Sequence, residues 1–121
     1  MEHFLLDTNI VIGHLADQYI LPNTGNRFSV STMTVFELLQ LAGLSRTEED
    51  KIKIFLAACN QLTITSTIAE RAASLARTHY RIGAMDLLIA ATALEHHLAL
   101  ITKNLKDFRR LPGLTVRDAI E

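Results

Sequence analysis

The chain has 121 residues, 49% apolar and 21% charged, with a formal net charge of −1. Such a composition excludes a disordered polar tail, and so even a balance excludes a domain that grips nucleic acid by overall charge alone. A chain of this length builds one core, so 1–121 is expected to be a single domain. His3 to Leu6 reads as a short strand and Asn9 to Asp17 as a helix, followed by a loop in "YILPNTGNR". Phe28 to Ser31 is a second strand, with helices from about Val35 to Ala42 and from about Glu48 to Cys59. "QLTIT" is a third strand, Ser66 to Tyr80 and Met85 to His97 are helices, "LALIT" is a fourth strand, and "GLTV" is a candidate fifth. Strands alternating with helices imply right-handed crossovers, hence an α/β sandwich around a mostly parallel sheet of four to five strands.

The single cysteine, Cys59 in "FLAAC", cannot form an internal disulfide and reads as a small buried hydrophobe. No secretory pattern opens the chain, and the long apolar stretch from Ile82 to Ile101 is interrupted by Asp86, Glu95, His96 and His97. A cytoplasmic protein without a membrane span is therefore expected. Charge is unevenly spread: residues 1–70 carry four basic and eight acidic side chains, and residues 71–117 carry eight basic and three acidic. A polyanion would find its counterpart in the later half, although solvated helix faces produce the same pattern.

In open parallel sheets, sites collect beyond the carboxyl ends of the strands. Asp7 follows the first strand, Glu37 lies in the first turn of the helix after the second, and Asp86 opens the helix before the fourth. Thr102, Lys103 and Asn104 follow that fourth strand. Each residue also has a local structural role open to it. Asp7 or Thr8 can cap the first helix. Glu37 completes the capping-box spacing Thr34-x-x-Glu37, which recurs at Ser45-x-x-Glu48, Thr47-x-x-Asp50 and Thr67-x-x-Glu70. Asp86 complements a helix dipole.

Brought to one edge, Asp7, Glu37 and Asp86 repel one another unless protonation, an arginine or a hard cation offsets them. Clustered carboxylate oxygens suit Mg²⁺ or Mn²⁺. The five histidines show no paired zinc-ligand spacing, and neither a GxxxxGK[ST] loop nor a GxGxxG turn is present.

The segments "LLDTNIVIGHL", "VSTMTVFELLQL" and "IGAMDLLIAATALEHHLALITKNLKDFRRLPGL" resemble, in order and over nearly the whole chain, the successive motifs of PIN-domain proteins, specifically VapC-type toxins. The resemblance implies a PIN-like three-layer α/β/α sandwich and a metal-dependent endoribonuclease restrained by a cognate antitoxin. It implies products with 5′-phosphate and 3′-hydroxyl ends. Asp7, Glu37 and Asp86 match the family's three acidic positions. Asn9 and Thr102 match its site-ordering polar positions, with Thr8 adjoining them. Asn104 stands where many members carry a fourth acid, and Asp107 follows three residues later. Asn104 can offer a carbonyl oxygen but no charge, which weakens the case for a second cation. Asp107 reads more simply as a brace for "NLKDF".

On this reading Asp7 and Asp86 hold Mg²⁺ or Mn²⁺, and Glu37 is either a third ligand or the group that orders the attacking water. Lys103, Lys106, Arg109 and Arg110 flank the site as candidate contacts to RNA phosphates. A receiver-like phosphoacceptor fits poorly, because Asp7 stands alone and the third strand ends in "TITST". A catalytically silent PIN-like interaction module is the remaining alternative. The apolar residues Leu38, Leu39, Leu41, Leu44, Ile54, Phe55 and Leu56 suggest a groove for an antitoxin helix or a homodimer contact, with core burial the simpler explanation.

Overall fold

The computed structural model describes residues 2–19, 21 and 27–118. Five parallel strands form one sheet in the order β3-β2-β1-β4-β5: β1 (His3–Leu6), β2 (Arg27–Ser31), β3 (Asn60–Leu62), β4 (Ala99–Ile101) and β5 (Val116–Arg117). Among them run α1 (Thr8–Leu15), α2 (Thr32–Leu39), α3 (Arg46–Ala57), α4 (Ser66–Thr78), α5 (Ala84–Glu95) and the short α6 (Leu105–Phe108).

Alternation along the central strands builds the layers. In β1, Phe4 and Leu6 point into a core closed by α1, α2 and α3, together with Val30, Leu38, Ile52 and Leu56. Leu5 points the other way, into a core closed by α4, α5 and α6, with Ile68, Leu87, Ala90 and Phe108. β4 divides likewise, with Leu100 on one side and Ile101 on the other. A sheet covered on both faces has no solvent side, which explains why the inner strands read as continuous apolar runs. In α5, Ala90, Ala91 and Ala93 are fully buried, and their small side chains let this helix lie close on the sheet.

Several boundaries differ from the sequence reading. α2 begins at Thr32, directly after β2, because Ser31 caps it by accepting from Met33 N at 3.0 Å. Thr34 therefore sits inside the helix, fully buried, and Glu37 lies one turn further in than the Thr34-x-x-Glu37 spacing suggested. The Ser45–Glu48 box is present in both directions, at 3.0 and 2.9 Å. Thr47 and Thr67, in contrast, are helical residues, and α4 is capped by Thr65. β3 stops at Leu62, and the candidate fifth strand is present but begins only at the end of "GLTV", spanning Val116–Arg117. The helix α6 had no apolar period long enough to announce it. α5 ends at Glu95, so His96 is its cap and His97 follows in the left-handed region (φ 56°). The loop expected over 19–27 falls largely outside the described residues. Cys59 is half-buried, and burial pushes its thiol up to about 11, which leaves it protonated and inert. Among the described residues no helix is long and apolar enough to cross a membrane.

The strand order positions the site. The chain steps outward from β1 to β2 and β3, then returns across the sheet to add β4 and β5 on β1's other side. The reversal falls between β1 and β4, where loops leave the strand ends in opposite directions and open a crevice.

Candidate active site

Asp7 lies at that crevice. Its backbone N–H still pairs with Ile101 O of β4 at 3.0 Å, so the residue is held in the sheet while its side chain turns into the first helix. Asp7 Oδ1 accepts from Thr8 N (2.8 Å), as an N-cap does. Asp7 Oδ2 accepts from Thr102 Oγ1 (2.7 Å) and from Asn9 Nδ2 (3.3 Å). Asp7 is only 4% exposed. Burial raises its pKa, an effect that the bonds from Thr102 and Thr8 oppose and the charge of Glu37 reinforces.

The flanking loops are tied to it. Thr102 is fully buried after β4, and its Oγ1 also accepts from Asn104 N (2.9 Å). Asn9 Oδ1 accepts from Lys103 N (3.3 Å). Asn104 turns its amide group toward two acids, donating to Asp107 Oδ2 (3.2 Å) and, at the limit of a hydrogen bond, to Asp86 Oδ2 (3.5 Å). Asp107 thus braces the turn into α6, and Asn104 acts here as a donor to carboxylates.

Glu37 reaches the same place from α2. Thr8 Oγ1 donates to Glu37 Oε1 at 2.6 Å and lies 3.0 Å from Thr34 Oγ1. Thr34 is the site-supporting residue that sequence reasoning missed, since its spacing to Glu37 suggested a cap. Asp7, Thr8, Asn9, Ile12, Glu37, Asp86 and Asn104 line one open cleft of about 260 Å³. Asp86, in the first turn of α5, has its carboxyl pushed up to about 6, first by burial and then by the charges of Asp7, Glu37 and Asp107.

Among the described residues, no lysine or arginine forms an ion pair with any of these four acids. Nor do three His, Cys, Asp or Glu side chains form a ready-made metal cage there. The cleft is an array of hard oxygen donors held open by neutral hydroxyl and amide groups. Of the flanking cations, Lys103 is engaged, 3.7 Å from Asp118 and 5.0 Å over the Tyr19 ring. Lys106, Arg109 and Arg110 form no ion pair among the described residues.

The family model for the PIN domain matches residues 4–114. The chain belongs to the PIN-domain family. Within it, the chain is 30% identical to the tRNA(fMet)-specific endonuclease VapC of Salmonella typhimurium, over 98% of each chain. It is 33% identical to ribonuclease VapC19 of Mycobacterium tuberculosis, over 91% of this chain and 95% of that one. A toxin–antitoxin complex from Klebsiella pneumoniae contains a chain that superposes with a TM-score of 0.73 at 32% identity, covering 93% of this chain and 95% of that one. These likenesses make this a VapC-type PIN protein with the three-layer α/β/α architecture of that group.

Proposed function

We propose that this PIN domain is a metal-dependent endoribonuclease and the toxin member of a toxin–antitoxin pair, with 1–121 acting as one nuclease domain. The observation that carries the reading is the convergence of Asp7, Glu37 and Asp86 on one cleft with, among the described residues, no cationic side chain paired to them. Burial, reinforced by the charges of Asp7, Glu37 and Asp107, lifts Asp86 to about 6; a bound cation would favour its charged form, and the hard carboxylate oxygens suit Mg²⁺ or Mn²⁺. The likeness to curated ribonucleases over nearly the full chain supports the same reaction.

Asp7 and Asp86 would hold the cation, with Glu37 and the Asn104 carbonyl as further oxygen donors. When bound, the cation offsets charge on the scissile phosphate and makes a neighbouring water more acidic. The chain's own residues supply position. Thr102, Thr8 and Asn9 keep the Asp7 carboxylate in one orientation. Thr8 and Thr34 do the same for Glu37, which receives a proton from, or orients, the water that attacks phosphorus. Asn104 and Asp107 fix the loop that carries Asp86's neighbours. Lys106, Arg109 and Arg110 bind phosphates beside the cleft, and Lys103 joins them if it leaves Asp118.

An antitoxin partner has a face to bind. Ile12, Leu15, Leu38, Leu41, Leu44 and Ile52 line an apolar groove of about 270 Å³ between α1, α2 and α3. Ile12, 46% exposed, also lines the acidic cleft, so an apolar segment seated in the groove ends beside the site it restrains. The toxin–antitoxin complex from Klebsiella pneumoniae supports such a partner.

The test is cleavage of a mixed structured RNA pool in Mg²⁺, in Mn²⁺ and with chelator, beside folded Asp7→Asn and Asp86→Asn variants. Metal-dependent cleavage abolished by both substitutions is the expected result. Equal activity in the variants would reveal a contaminating ribonuclease. No cleavage, together with no binding of either cation, would make the chain a silent interaction module.

A further inference from the structure

Asn104 stands at the head of α6, where an asparagine has an ordinary task. At a helix N-cap its side-chain oxygen accepts from a backbone N–H of the first turn, and asparagine is among the residues best suited to this. Asn104 makes no such bond. Its side chain is turned instead into the acidic cleft, which it lines beside Asp7, Glu37 and Asp86.

There the amide nitrogen is shared between two acids. Nδ2 lies 3.2 Å from Asp107 Oδ2 and 3.5 Å from Asp86 Oδ2. An amide NH₂ group has two protons, and each acid takes one, so the nitrogen stands between the carboxylates as a neutral bridge. The other polar atom of the side chain, Oδ1, takes part in no hydrogen bond among the described residues.

The backbone leaves this side chain little room to withdraw. Asn104 N donates to the hydroxyl of buried Thr102 at 2.9 Å, and Asn104 O accepts from the N–H of Phe108 at 3.4 Å. Phe108 is itself fully buried in the core against α4 and α5, and Thr102 is tied to Asp7. Asn104 is therefore fixed both to the strand before it and to the helix after it.

Divalent cations that assist attack on phosphorus work singly or as a pair about 3.5–4 Å apart. With Asp7, Glu37 and Asp86 gathered on one cation, a second needs a further carboxylate, and Asp107 is the one at hand. The ground between Asp107 and Asp86 is held by the Asn104 nitrogen.

We propose that the cleft takes a single divalent cation, because the Asn104 amide nitrogen fills the place between Asp86 and Asp107 that a second would occupy. The same amide keeps its oxygen for the first cation. The inference rests on the reading of the cleft as a divalent-cation site and adds the number of ions to it.

The test counts ions and needs no turnover. Mn²⁺ titrated into the metal-free protein, followed by calorimetry and electron paramagnetic resonance, should give one ion per chain with the spectrum of an isolated ion. Asn104→Asp removes the donor protons and supplies a carboxylate facing the same place. It should bind two ions per chain, with spin coupling between them, and adding Asp107→Asn should return the count to one. Asn104→Ala clears the place without adding charge and should admit a second ion more weakly than the first, which keeps the test open if the aspartate variant does not fold by circular dichroism. Two coupled ions in the wild-type protein, or a single ion in either folded Asn104 variant, would overturn the inference and leave the cation reading standing. If neither the wild-type protein nor any variant binds Mn²⁺, both fail.

Discussion

Thr102 and Asp7, 95 positions apart in the chain, meet in a 2.7 Å hydrogen bond at the ends of the two central strands. Thr102 Oγ1 donates to Asp7 and accepts from Asn104 N, so one buried hydroxyl joins β1, β4 and the turn into α6. Thr102→Val keeps the shape and removes both bonds. In chelator at neutral pH it should lose about 2 kcal/mol in urea unfolding, as expected for a hydrogen bond to a buried carboxylate, and Thr102→Ser should recover most of it. A valine variant as stable as the wild type would show that Asp7 is held by Thr8 and Asn9 alone.

Stability should also depend on pH in a direction set by Asp86. Its folded pKa of about 6 lies above the ordinary 3.8, so the folded chain binds this proton more tightly than the unfolded chain does. The stabilisation that protonation provides is complete below about 3.8 and is lost as pH rises through about 6. Asp7, also raised, adds in the same sense. Without metal, Tm should fall between pH 5 and pH 7.5, and Asp86→Asn should fall less over that span. Binding of Mn²⁺, which competes with the same proton, should weaken as pH drops below about 6. Equal Tm slopes in the two proteins would count against a raised Asp86.

The sequence made the centre of this site legible and its supports much less so. Asp7 and Thr102 stand out because each ends an apolar run, and a carboxylate or hydroxyl at the end of a buried parallel strand has few structural roles. Asp86 is similarly marked by its place at the head of an almost wholly apolar helix. Glu37 was harder, because Thr34-x-x-Glu37 is a true capping spacing that the chain does not use; Ser31 takes the cap since β2 turns into α2 without a linker. The bond from Thr8 to Glu37 joins two helices and leaves no local signature. The edge strands β3 and β5 slipped from their expected bounds because exposed edges carry little alternation to define register.

Asn104→Asp should trade metal-free stability for metal affinity. The substitution replaces a donor that faces Asp86 and Asp107 with a fourth charge. Calorimetric titration should show Mn²⁺ binding tightened on the order of 10-fold, the worth of about one pKa unit of added interaction. The metal-free variant should unfold at lower urea than the wild type. Unchanged affinity would place position 104 outside the donor set.

Gly13 is required by its neighbour. It is buried in α1, and a Cβ there would overlap the Tyr19 ring, which in turn lies beneath Lys103 Nζ. Gly13→Ala should cost about 1–3 kcal/mol by overpacking, despite alanine's better helix propensity. In a Tyr19→Ala background the same substitution should cost far less, a coupling that a double-mutant cycle in urea would measure.

The order β3-β2-β1-β4-β5 also governs when the cleft comes into being. Synthesis delivers β1 first, with Asp7 behind it, yet β1's second neighbour and the hydroxyl that secures Asp7 are made only after residue 98. Until then one edge of the central strand is unpaired and the Asn104 side of the cleft does not exist. A growing chain therefore lacks an assembled cleft until β4 and the turn behind it have been made. The delay is written into the topology.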